Sequence, residues 1–216
     1  MRYSPGIAVM FATICIFAAP SATAGPTVPQ GRIDSLLLSD DDVSSIVGLP
    51  MRRFGNVYPS PAASSALPDR DDCRSFVQSD VTLWTGEFTA FRQVNHRDNP
   101  GSPQFATTQV VAAYPNPLVA AGTFRRAFAP AMVGRCGAVT LNDSAGASWR
   151  LDGITITGDH ASWKISNLVN GQDTTWRCAN DARQKGNVMF QEVECQFGNG
   201  GPLVAQMTNT VADRFP

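Results

Sequence analysis

Four cysteines, Cys73, Cys136, Cys178 and Cys195, limit what this chain can fold into more than any other feature. A fifth, Cys15, lies in an N-terminal segment with the features of a cleavable export signal. Arg2 supplies the positive end, residues 7–19 form an apolar run, and Pro20 breaks it. Ala22 and Ala24 then place small residues where a signal peptidase must accept them, which predicts cleavage between Ala24 and Gly25. The apolar run falls short of the roughly 20 residues that span a bilayer, so no stable membrane span is expected after cleavage. Ile14 ahead of Cys15 argues against a lipid-modified cysteine. Export to an oxidising compartment leaves the remaining even set of cysteines to form two disulfides.

Hairpin geometry selects their pairing. Taking Gly186 and Asn187 as a two-residue turn pairs Lys185 with Val188, and the same register sets Cys178 opposite Cys195. Directly opposed strand residues lie about 4.5–5.5 Å apart at Cα, within reach of a disulfide. A bulge near Gln191 or Glu192, where the apolar alternation shifts, would disturb this register. Elimination leaves Cys73 with Cys136. A zinc site of four thiolates is the rival reading, but the usual close cysteine pairs are missing.

Charge narrows the function classes. The full chain carries 17 basic and 18 acidic residues, and removing residues 1–24 takes away only Arg2. The basic residues are dispersed, so neither phosphate-backbone binding nor stable attachment to an anionic membrane is expected. The segment 25–32, with Pro26 and Pro29, reads as a flexible lead-in, and residues 33–216 are long enough for one domain with a sizeable core.

Along that domain, Ser39 followed by three Asp predicts a capped short helix ending at Gly48 and Pro50. Residues 59–70 read as an exposed loop, 81–96 as a strand or bent strand pair with a bend at Gly86, and 107–114 as a buried strand. Asn116 and Pro117 start a helix expected to reach about Met132, with Leu118, Ala121, Phe124, Phe128 and Met132 as its apolar stripe. Residues 149–166 suggest two or three short antiparallel strands. Leu203, Val204, Met207, Val211 and Phe215 mark a C-terminal helix.

The Leu-Leu-Leu-Ser segment before Gly48, Asp71-Asp72-Cys73, the Pro-capped helix leading to Cys136, Trp176-Arg177-Cys178, Asn187-Val188 and Cys195 together resemble a known layout. The chain resembles the family of extracellular sensor domains related to that of mycobacterial serine/threonine protein kinase H, over residues 34–215. The resemblance implies a single α/β (α+β) domain: a twisted antiparallel sheet flanked by helices, a cleft for an extracellular ligand, two disulfides and no catalysis. Neither a kinase half nor a retained membrane helix is expected to accompany it here.

The chemistry-bearing residues are sparse. His96 and His160 sit beside Asp or Asn in turn-like surroundings, which points to surface roles; an envelope hydrolase built on either is the competing reading. Asp69, Asp71 and Asp72 lack distinguishing metal spacing. Glu192 and Glu194, two apart on a strand, read as a solvated pair. Trp84, Trp149 and Trp163 are candidate cleft-lining residues. No catalytic residue, cofactor or metal is therefore expected. The expected role is a secreted or periplasmic cell-envelope module that binds a small-molecule or cell-wall ligand, with docking to an envelope protein as the alternative.

Overall fold

The hairpin around Gly186 organises the molecule. The computed structural model describes residues 27–61, 70–77, 87–142 and 146–216. In it the long strands Gln172–Lys185 and Val188–Phe197 pair without interruption from Lys185 opposite Val188 to Trp176 opposite Phe197, and Cys178 faces Cys195. Gly186 has a φ of 57° and Asn187 is not in the left-handed region, the pattern of a II′ turn with glycine first.

Asn187 acts through its side chain instead. Its buried amide accepts a hydrogen bond from Val28 N (2.7 Å) and donates to Val28 O (3.0 Å) and Tyr114 O (2.9 Å). This clasp orders the chain ahead of Ile33, where the sequence suggested that structure begins. Val28 is buried, and a 3-10 helix already runs over Gln30–Leu36.

Among the described residues the sheet has eight strands. In chain order they are β1 (Arg52–Arg53), β2 (Ala90–Arg97), β3 (Phe105–Ala113), β4 (Val139–Asn142), β5 (Ser148–Thr157), β6 (His160–Val169), β7 (Gln172–Lys185) and β8 (Val188–Phe197). All neighbours are antiparallel, in the order β1-β2-β3-β8-β7-β6-β5-β4. The segment read as two or three short strands is the β5–β6 hairpin, with a register shift between Asp152 and Thr155 where Gly153 has a φ of 62°. The strand expected over 81–96 is described only from Ala90 onward; Trp84 and Gly86 lie outside the described residues.

Both faces of the sheet carry helices. On one, helix α2 (Pro117–Ala127), helix α3 (Ala131–Cys136) and a 3-10 turn (Asp71–Phe76) enclose the larger core. Trp163 is its centre, with ring centroids 5.3 Å from Phe76 and 5.4 Å from Phe128, and its Nε1 donates to Phe76 O at 2.6 Å. On the other face, helix α1 (Asp40–Val47) and helix α4 (Gly201–Asp213) join Ile33, Leu36 and Leu38 against Val111, Val188 and Phe190. Ser39 and Asp42 form the capping box of α1, and Gly48 ends it in the left-handed conformation.

The central helix is shorter than its pattern suggested. Pro130 cannot donate the next helical hydrogen bond and restricts the residue before it, so α2 ends at Ala127 and α3 restarts at Ala131. The buried face of α2 is Ala120, Thr123, Phe124 and Ala127, whereas Leu118 is 80% exposed. The disulfide Cys73–Cys136 then ties the end of α3 to the 3-10 turn, with Cα atoms 5.6 Å apart.

Candidate functional site

Strand alternation builds a polar groove. On β6, Ala161, Trp163 and Ile165 enter the core with α2, so His160, Ser162 and Lys164 take the opposite face. The register carries that face onto β7, with His160 opposite Arg183, Ser162 opposite Asp181 and Lys164 opposite Ala179. Helix α4 packs on β7 and β8 and forms one wall. Three adjoining depressions result. The middle one, about 270 Å³, lies among His160, Ser162, Lys164, Asp181, Val204 and Ala205. An open one of about 450 Å³ extends past Arg183 and Lys185, and a pocket of about 40 Å³ closes the other end at Lys164, Arg177 and Gly200.

Ion pairs stiffen the wide end. His160 Nε2 lies 3.1 Å from Asp181 Oδ2, and Arg183 Nε is 3.2 Å from Asp181 Oδ1. Arg183 also donates to Asn209 Oδ1 on α4 at 2.9 Å, and Lys185 Nζ donates to Ala212 O at 2.8 Å. The groove thus offers convergent polar groups on rigid strands beside the apolar side chains of α4, the usual makeup of a binding site. Ser162 makes no hydrogen bond to His160 among the described residues; the partner of His160 there is Asp181.

Beside the groove, under α1 and α4, lies a buried polar layer that the sequence did not suggest. His96 is not at a turn: it sits inside β2, 1% exposed, with Nε2 3.3 Å from Asp40 Oδ1. Burial lowers its pKa against the pull of Asp40. Glu192 and Glu194 are not solvated but 1% and 0% exposed, on a strand covered on both sides. Burial raises Glu192 well above the ordinary carboxyl range and Glu194 to about 7. Gln109 anchors the layer, accepting from Leu38 N at 2.8 Å and donating to Leu36 O at 3.1 Å.

Of the tryptophans expected to line a cleft, Trp163 is buried in the core yet borders the middle depression, Trp149 packs partly buried against the same core cluster, and Trp84 lies outside the described residues. Asp71 and Asp72 are exposed and pair with Arg74 and Arg70; Asp69 lies outside the described residues. Asp72 approaches Cys73 and Cys136 closely, but their sulfurs are bonded to each other and are not free to ligate. The groove residues were partly legible: the alternation of His160, Ser162 and Lys164 with Ala161, Trp163 and Ile165 marks a strand with one polar face.

An open antiparallel sheet with helices on both faces and two disulfides makes this a single disulfide-bonded α/β domain. The chain belongs to the family of PknH-like extracellular domains, whose sequence profile matches residues 28–214. Among solved structures it is similar to the extracellular domain of PknH from Mycobacterium tuberculosis, with a TM-score of 0.74 and 17% identity over 88% of this chain and 97% of that one. No curated protein matches the sequence. Among the described residues no helix is long and apolar enough to cross a membrane.

Proposed function

We propose that this chain is an exported cell-envelope domain that binds a small-molecule or cell-wall ligand in the groove between α4 and strands β5–β7, in a sensor-like role without catalysis. The observation that carries the reading is the groove itself, a polar sheet face walled by one helix and held rigid by the Asp181–Arg183–Asn209 chain of contacts. Family membership and the two disulfides support an extracellular setting.

The test is a thermal-shift screen of metabolites and cell-wall fragments against the exported chain and an Ala205→Trp variant, which fills the middle of the groove. A ligand at about a hundred times its Kd stabilises by about 2.7 kcal/mol, which raises Tm by roughly 5–10 °C for a domain of this size. The shift should vanish in the variant. A shift that survives in Ala205→Trp places the ligand elsewhere. Mass spectrometry of the exported chain checks the start at Gly25.

A second reading, docking to an envelope protein, draws on an exposed aromatic pair: Phe197 is 60% exposed and its ring stands 5.1 Å from that of Trp176. Crosslinking in intact cells through a photoreactive residue at position 197 separates the two readings.

A further inference from the structure

The cations of the groove fall into two groups. At the wide end Arg183 and Lys185 are committed, the first to Asp181 and Asn209 and the second to Ala212 O. At the narrow end Lys164 and Arg177 are exposed, and among the described residues neither has an ion pair or side-chain hydrogen bond. Lys164 faces Ala179 and Ser166 faces Arg177, so the two cations stand at diagonal positions on one face of adjacent strands. That puts their Cβ atoms within about 7–8 Å of each other. Ala179 is small enough to leave a depression between them, roofed by Gly198, Asn199 and Gly200. Two like charges held this close without a counterion repel.

Among the described residues no acid lies within ion-pair distance of either cation. Asp152 stands directly opposite Lys164 on β5, but its ion-pair contact is with Arg150, at 4.0 Å. Asp173 is likewise paired with Arg150. Glu194 stands beyond Ala179 in the same row, fully buried.

We propose that the narrow end of the groove is an oxyanion pocket, in which Arg177 and Lys164 bind a phosphate, sulfate or carboxylate group of the ligand. The proposal rests on the reading of the groove as the ligand cleft and names the chemistry recognised at one end of it. Arg177 supplies a planar fork of donors and Lys164 a mobile point charge, a combination suited to a compact oxyanion. At about 40 Å³ the pocket admits a group of a few heavy atoms, and the rest of the ligand extends along the middle depression beside Ser162 and Ala205. Glu194 does not oppose the anion below neutral pH, since burial raises its pKa to about 7 and keeps it largely protonated there.

Inorganic phosphate, sulfate and acetate are titrated separately into the exported chain, with chloride holding the ionic strength constant, and followed by amide NMR shifts at Ala179 and Gly198. The expected result is saturable binding by at least one oxyanion, with Lys164→Ala/Arg177→Ala weakening it about tenfold or more. Arg125→Ala, which removes an exposed charge from α2, should leave it unchanged. Binding no stronger than that of chloride overturns the pocket, as does full binding by the double variant or equal weakening by Arg125→Ala. Oxyanion binding retained in Ala205→Trp supports the pocket whatever becomes of the longer ligand. A wild-type chain that binds another ligand in the groove but none of the three anions overturns the pocket and leaves the groove reading standing.

Discussion

The carboxylate of Glu194 occupies the space that a side chain at Gly200 would need, so that an added Cβ at Gly200 runs into Oε2. The contact joins the buried strand β8 to the start of α4. Gly200→Ala should destabilise the domain by about 1–3 kcal/mol, the usual cost of overpacking a closed site. In a Glu194→Ala background the same change should cost distinctly less, because the carboxylate is gone and only the 3.2 Å approach to the backbone oxygen of residue 194 remains. Urea denaturation of the four proteins forms the cycle; equal costs in both backgrounds would show that the contact is not what excludes a side chain.

Buried carboxyls make the domain more stable in mild acid. Glu194 rises from 4.5 to about 7 in the folded state. The folded protein therefore holds a proton that the unfolded chain has released. Its contribution is fully present below about pH 4.5 and is lost as pH rises to about 7, a change of about 3 kcal/mol. Glu192 acts in the same direction. His96, lowered by burial, acts oppositely: its contribution is present above pH 6.5 and is lost as pH falls through the lowered value. Denaturation between pH 4.5 and 7.5 should show a slope that Glu194→Gln flattens. An unaltered slope in that variant would assign the effect elsewhere.

The two disulfides close loops of different length. Cys73 and Cys136 are 63 residues apart in sequence and Cys178 and Cys195 are 17 apart. In the chain-entropy model, removing the first costs about 4 kcal/mol and the second about 3 kcal/mol. Paired Cys→Ala variants in urea measure the difference, and non-reducing peptide mapping checks the connectivity. Another pairing would contradict the β7–β8 register.

Asn187 holds three backbone groups at once. Asn187→Ala leaves Val28 N, Val28 O and Tyr114 O without those partners in a buried site, at about 1–3 kcal/mol for each group that water does not reach. Hydrogen exchange should quicken at Val28 and along Gln30–Leu36, while the amide of Phe190 in the centre of the sheet stays protected. Uniform loss of protection would mean that the N-terminal segment does not open on its own.

Much of the framework was legible because its signals are local. The capping box of Ser39 and Asp42, the Pro117 helix start and the Gly186 turn each depend on a few neighbouring residues. The turn alone carries the register that places Cys178 against Cys195. The shift in apolar alternation between Phe190 and Val193, which suggested a bulge, has a different origin. Strand β8 packs on both faces, so Phe190 enters one core and Val193 packs against the other.

The sequence by itself determined the β7–β8 hairpin, the pairing of Cys178 with Cys195 and the starts of α1 and α2, since chain geometry over short separations dictates them. Tertiary structure alone decided that His96, Glu192 and Glu194 are buried while Lys164 and Arg177 stand exposed beside Ala179. Alternation along a strand tells which residues share a face. Which faces are covered depends on helices returning from distant parts of the chain, and here α1 and α4 close over β2, β3 and β8 and leave a groove along β5–β7.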